Sequence, residues 1–464
     1  MGITSEYVDF CSGIQYEDFP PEVIDYAKRL CLDFVGVALY GTRADSSKVT
    51  VAFIKSLDLP GDCTTIGTML KCPQQYAALA NGTFVKGHEL DDVEASSALH
   101  PGPSVWPVVL AMGEKYHLNG KQLITAAVLG YETIIRLGRA INAPNHFKRG
   151  FHSSSTCGHF AATMAASKLL NLNQQQMNDA LGIAGSQTSG SFRYILAGSW
   201  TKAFHSGWAS HSGILAAHLA RQGFDAPTDI LEGQYGFLQA YSENTQPGLI
   251  LEDLGKVYWT LRTGIKLHSA CRQEHSQLDA ILSIVKANDL KPDEIQRVDI
   301  YMIKLAYLFV VEPEEVKRAP KNVVDQMHSM YFGAAMAIIK RKAFVEEHAE
   351  GWLGSPQVRD LIEKIHCHHD PELDKLTPEK FPARVVIQTK DGRKFEKAVD
   401  VPHGDGLDPL SLEELRNKYE FLVSGILSRK HVEEIEEMIL QLDKVKDFGK
   451  VASLLASNAG EEQS

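Results

Sequence analysis

No run of about 18 uncharged apolar residues occurs in this sequence, so it holds nothing suited to crossing a bilayer as a helix. No membrane partner is expected. The seven cysteines, Cys11, Cys31, Cys63, Cys72, Cys157, Cys271 and Cys367, show no CxxC spacing, and their odd number fits reduced thiols better than disulfides or zinc. Basic charge is short as well. A formal net charge of −11 disfavours nucleic acid, because phosphate binding needs a basic surface. Any anionic ligand must therefore meet a local cluster of cations. Neither a phosphate loop nor a dinucleotide-binding glycine motif is present. The segment from Met1 to Gly13 carries Glu6 and Asp9 and lacks the basic stretch and apolar run of a secretory or mitochondrial presequence. A cytoplasmic location is expected.

What is present is the composition of an ordinary folded chain: 44% hydrophobic and 23% charged residues argue against disorder and fibrous repeats. At 464 residues the chain exceeds one ordinary core, and two or three units are expected. From about Pro20 to Arg262 the apolar residues recur at helical spacing. Val23, Ile24, Ala27, Leu30, Phe34, Val37 and Ala38 form one stripe, opened by Pro21 and followed by Gly41. Similar patterns cover 121–139, 158–170, 177–184 and 212–222, the last followed by Gly223 in the place of a left-handed cap. Their many small residues predict close helix packing around a cleft.

Near Lys266 the pattern changes. Residues 297–302 and 384–389 alternate like strands, and Lys390-Asp391-Gly392-Arg393 turns the chain into a further strand over 394–399. Helices are expected between them over 323–340 and 357–365. Helical patterns return over 412–426 and 431–442, before a polar tail over 456–464.

Four clusters carry chemistry. His88-Glu89-Leu90-Asp91-Asp92, with Glu94 and His100-Pro101-Gly102, is the densest. If its first part is helical, Glu89 and Asp92 share a face, raise one another's pKa and give a proton carrier. A solvated acidic loop is the plain alternative. A metal site built from His88, Glu89, Asp92 and His100 lacks any strict ligand spacing. The tract His366-Cys367-His368-His369-Asp370 reads as a polar surface loop. Second, Arg149 to Gly158 places His152 and the hydroxyls of Ser153, Ser154, Ser155 and Thr156 at a helix start, which is either an anion site or a plain N-cap. Third, Lys202 and His205 lie one turn apart among small residues. This lysine either approaches a ligand or snorkels to solvent. Fourth, Arg272 and His275 follow Lys266 at the boundary between helical and mixed regions, where ligands commonly bind. Together, histidines and carboxylates for proton transfer plus Lys202 and Arg272 as anion clamps suit a carboxylate substrate.

The blocks Asn81-Gly82, Glu89-Leu90-Asp91-Asp92, His100-Pro101-Gly102, Gly130-Tyr131-Glu132, Arg149-Gly150-Phe151-His152, Ala180 to Gln187, Lys202 with His205-Ser206-Gly207-Trp208-Ala209, and Ile230-Leu231-Glu232-Gly233 occur in an order that resembles the MmgE/PrpD family. Its members include 2-methylcitrate dehydratase, cis-aconitate decarboxylase and iminodisuccinate epimerase. The resemblance implies a mainly α fold: a large all-helical domain from residues 1–265 and 405–464, with a smaller α+β lid inserted over 266–404. It also implies a homodimer and no metal or organic cofactor. Carried over by position, it implies a site made of Asp91, Asp92, His100, His152 and Lys202, with Glu89, Ser154, Arg272 and His275 binding substrate. The expected activity is that of a lyase on a small polycarboxylic acid, dehydrating or decarboxylating it. Epimerisation, and a non-catalytic carboxylate-binding role, are the alternatives. Val93 stands where dehydratases and decarboxylases often carry a polar residue, and the spacing to His100 differs from that of the animal decarboxylase. Residue types therefore do not choose among the reactions.

Overall fold

The computed structural model describes residues 2–456, so the expected tail over 457–464 lies outside the described residues. Its larger hydrophobic core is helical. Pro21–Gly41, Gln74–Phe84, Gly102–Lys115, Gly120–Ala140, Ser153–Leu169, Gln174–Gln187 and Thr201–Arg221 supply most of it. The C-terminal helices Leu412–Val423 and Arg429–Leu440 return to the same core through Leu415, Tyr419, Ile435 and Ile439. A buried Lys418–Asp33 ion pair of 2.6 Å ties the two ends of the chain together.

Small residues set the distances. A Cβ on Gly207 would lie 2.3 Å from the Leu79 carbonyl oxygen, and one on Gly213 would lie 2.5 Å from Ala162 Cβ. The helix Thr201–Arg221 can therefore seat deeply against Gln74–Phe84 and Ser153–Leu169, which carries Lys202 inward. No helix among the described residues is long and apolar enough to cross a membrane.

A second core draws its residues from Ala270 to Ile387. It contains a four-stranded sheet in the order Ile365–His369, Ile295–Met302, Ala383–Thr389, Lys394–Val399. The first pair is parallel and the others antiparallel. Alternate residues of Ala383–Thr389 are buried, as a sheet with one covered face requires, and Gly392 takes a φ of 88° in the turn that follows.

Three expectations change here. The helix over 323–340 is broken into Val323–Gln326 and Met330–Lys340, because Ser329 Oγ accepts the Phe332 N–H and caps a new start. The helix near 357–365 stops at Ile362, and Ile365–His369 is a strand. His366 to His369 is thus no loop. His368 and His369 pair with Asp299 at 2.8 Å and Asp374 at 2.6 Å. Strand alternation points neighbouring side chains to opposite faces, which separates them.

Candidate active site

Between the two cores lies a cavity of about 50 Å³. His100, His152 and Lys202 border it from the helical side, and Arg272 from the other. Cys271, Gln273, Tyr194 and a set of phenylalanines complete the wall. A space this small holds a few waters, far below the roughly 300–1,000 Å³ of ordinary small-molecule sites.

The acidic motif is neither helical nor solvated. Residues 85–88 form a turn and 89–92 an irregular segment, Glu89 takes a left-handed φ of 52°, and Glu89, Asp91 and Asp92 are all buried. The backbone sends their side chains apart, so Glu89 and Asp92 do not form a carboxylate pair. Glu89 Oε2 accepts from Lys202 Nζ at 2.7 Å, with Lys266 at 3.6 Å, and Lys86 lies 4.0 Å from Oε1. Burial opposes its charge, but these lysines outweigh burial and hold the carboxyl well below its ordinary range. Lys202 is likewise opposed by burial, yet Glu89 raises its pKa. Both stay charged.

Asp91 Oδ2 accepts from Lys86 Nζ at 2.7 Å and from His100 Nδ1 at 2.8 Å. Despite burial, those partners lower its pKa. His100 Nδ1 also faces the Asp92 carbonyl at 2.8 Å. Two acceptors at Nδ1 fix the hydrogen there and leave Nε2 as the basic end. Burial, aided by Lys86, brings the His100 pKa down to about 4, so the ring is neutral. Asp92 differs: its Oδ1 accepts the Gly102 N–H at 2.9 Å and its Oδ2 bonds the Tyr131 hydroxyl. Burial first, and Asp91 second, push its pKa up to about 7. Asp91 and Asp92 sit behind His100 and position it rather than border the cavity.

His152 Nδ1 meets His205 Nδ1 at 3.0 Å, so one ring donates and the other accepts. Burial, then mutual repulsion, lowers His152 well below its usual value. The helix Ser153–Leu169 begins at this point without a side-chain cap. Two of its hydroxyls are engaged, Ser153 Oγ donating to the Ala98 carbonyl at 3.0 Å and Ser154 Oγ accepting the His100 N–H at 3.1 Å, while the buried Ser155 Oγ has no partner among the described residues. Ser154 does not border the cavity. Arg272 borders it while paired to Asp405. His275 does not: its Nε2 faces the Ala270 carbonyl at 3.3 Å, within the second core, and its ring lies 5.1 Å from that of His268.

Besides Lys86, two groups had no role assigned from sequence. Lys266 is fully buried, donates to the Glu89 carbonyl at 3.0 Å, and has its pKa lowered by burial. His328, placed by the helix break, brings Nε2 to 3.0 Å from Lys202 Nζ while Nδ1 faces the Val324 carbonyl at 2.9 Å. Lys86 could have been found from its place two residues before the acidic motif; nothing local in Gln326-Met327-His328-Ser329 marks His328. The thiol of Cys271 is raised by burial, so it borders the cavity as a neutral group.

Three buried lysines, Lys86, Lys202 and Lys266, thus gather around Glu89 and Asp91, and of these Lys202 borders the cavity. Comparison with known proteins gives it a context. The MmgE/PrpD N-terminal domain matches residues 5–250, and the MmgE/PrpD C-terminal domain matches residues 268–444. The chain belongs to the MmgE/PrpD family. Among curated relatives, a cis-aconitate decarboxylase of Aspergillus terreus is 30% identical over 98% of this chain and 96% of its own length. The cis-aconitate decarboxylase-like protein oryM of Aspergillus oryzae is 28% identical over 98% of this chain and 97% of its own. A cis-aconitate decarboxylase of Homo sapiens is 27% identical over 98% and 94%. The junction between the two family domains falls at residues 251–267, just before the cavity segment Cys271-Arg272-Gln273.

Proposed function

We propose that this protein is a lyase acting beside a carboxylate of a small polycarboxylic acid, either decarboxylating a cis-aconitate-like acid or dehydrating a 2-methylcitrate-like one. The observation that carries the proposal is the convergence of His100, His152, Lys202 and Arg272 on one cavity from distant parts of the sequence. Loss of carbon dioxide or of an α-proton leaves an electron pair that spreads onto a neighbouring carboxylate. Fixed cations facing those oxygens lower that barrier, which is the part assigned to Lys202 and Arg272. A neutral histidine then takes or returns the proton, and the two candidates are His100 through Nε2 and His152, whose partner His205 accepts or supplies a hydrogen.

The family resemblance supports a reaction without metal or organic cofactor, and a homodimer. Because the cavity is too small for such an acid, residues 266–404 are proposed to swing as a lid carrying Arg272 and His328. The test is proton NMR in heavy water with citrate, 2-methylcitrate, cis-aconitate and iminodisuccinate. Loss of water or carbon dioxide from one acid supports the lyase; deuterium exchange alone supports an epimerase using both histidines. An acid that binds with no spectral change points to a carboxylate-binding protein.

A further inference from the structure

An ammonium group carries three hydrogens, and two of those on Lys202 are already taken. Glu89 Oε2 accepts one at 2.7 Å, and His328 Nε2 accepts another at 3.0 Å. The third has no acceptor among the described residues. Of the three side chains only Lys202 borders the cavity, so that hydrogen is the one left for a bound anion. A tetrahedral nitrogen with two of its directions fixed has little freedom in the third.

The ring of His328 is set up to accept. Its Nδ1 faces the Val324 carbonyl at 2.9 Å, which keeps a hydrogen on Nδ1 and leaves the lone pair on Nε2. Burial, and then the charge of Lys202, hold its pKa well below the ordinary value, so the ring does not meet the ammonium as a second cation. Its backbone is fixed as well: the His328 N–H donates to the Asp325 carbonyl at 3.2 Å, and Ser329, the next residue, caps the helix Met330–Lys340. That helix belongs to the second core, whereas Lys202 lies on a helix of the first. The ammonium is thus held from both parts of the molecule.

We infer that His328 is a positioning residue for Lys202: seated with the second core, it takes one ammonium hydrogen, Glu89 takes another, and the third is thereby aimed at a carboxylate in the cavity. The inference rests on the lyase reading for what occupies the cavity. It makes full alignment of the lysine a consequence of the two cores coming together.

Two substitutions of similar shape separate this from a merely structural role. The amide oxygen of His328→Gln reaches the place of Nε2 and accepts from Lys202, while the Val324 contact is lost. The amide of His328→Asn matches Nδ1 and keeps the Val324 contact, with nothing to offer Lys202. The experiment measures kcat and KM for the accepted acid, and the citrate dissociation constant by calorimetry, for both variants alone and combined with Lys202→Met. His328→Asn should lower kcat by about 10²-fold and weaken citrate by about tenfold, with His328→Gln within about threefold of the unaltered protein in both. Beside Lys202→Met, His328→Asn should change neither by more than about twofold, because a residue that acts through the lysine has nothing left to act on. A greater loss in His328→Gln than in His328→Asn, or an effect of His328→Asn that persists undiminished beside Lys202→Met, overturns the inference. A loss beyond about tenfold in His328→Gln overturns it alone. Citrate affinities in the expected order without turnover of any acid keep the inference and sink the lyase, whereas turnover that neither variant changes does the reverse. Neither binding nor turnover in the unaltered protein sinks both.

Discussion

Lys202 Nζ lies 2.7 Å from Glu89 Oε2, a buried ion pair that joins a helix of the first core to a turn 113 residues earlier. The pair fixes the ammonium at the cavity wall. Burying two charges is costly, and breaking such a pair by removing one partner leaves an uncompensated charge that destabilises by about 3–5 kcal/mol. Here Lys266 and Lys86 still face Glu89, so the loss should fall toward the lower end.

That separates structure from catalysis. Lys202→Met should lower kcat by about 10²–10³-fold or more and lower the melting temperature. Adding Glu89→Gln should restore no activity and should lower the melting temperature further, because Lys266 and Lys86 then face an uncharged amide. Kinetics and thermal unfolding on the two variants check both halves, and recovery of activity in the double variant contradicts the assigned role.

His100 gives a pH dependence. Its pKa is about 4, and its neutral form is the one with a basic Nε2, so activity that uses it should fall as pH drops through about 4. Lys86→Met removes a repelling cation and should raise that pKa. The acid limb of kcat/KM should therefore move to higher pH. His100→Ala should cost about 10²–10⁴-fold.

Asp92 makes a stability prediction of its own. Its folded pKa of about 7 lies above the ordinary carboxyl value of 3.8, so the folded state holds the proton more tightly. The stability this group contributes is fully present below about pH 4 and is lost as pH rises to about 7. Asn at this position mimics the protonated acid: its oxygen accepts from Gly102 and its amide donates to the Tyr131 oxygen, which Trp106 Nε1 also reaches at 3.0 Å. Urea unfolding of Asp92→Asn should lack the decline that the unaltered protein shows over this range.

Much of this was legible in the residues. Helical periodicity located Pro21–Gly41 and Gly120–Ala140 to within a residue or two, since one apolar face against one core repeats every turn. Strand alternation located Ala383–Thr389 for the same kind of reason. The motif residues His100, His152, Lys202 and Arg272 all reach one cavity. What the residues did not reveal was orientation. The left-handed Glu89 backbone parts it from Asp92, and a serine cap at residue 329 creates the break that delivers His328. Ser154 and His275 belong to the right segments but turn toward backbone groups. Glu89 meets Lys202 across 113 residues and Ser154 meets His100 across 54, whereas the Ser329 cap and the His275 contact are local choices that propensity alone does not decide.

Chelation is a further check. If side chains alone carry the chemistry, dialysis against EDTA should leave turnover of the accepted acid unchanged within error. A loss restored by one divalent metal contradicts the cofactor-independent reading.

Catalysis here turns on one cavity neutralising one carboxylate, and a crystal structure grown with citrate tests that most directly. The predicted result is a citrate carboxylate within hydrogen-bond distance of Lys202 Nζ and Arg272, with the rings of His100 and His152 against the same molecule. Citrate bound elsewhere, with Lys202 touching only Glu89 and His328, would contradict it.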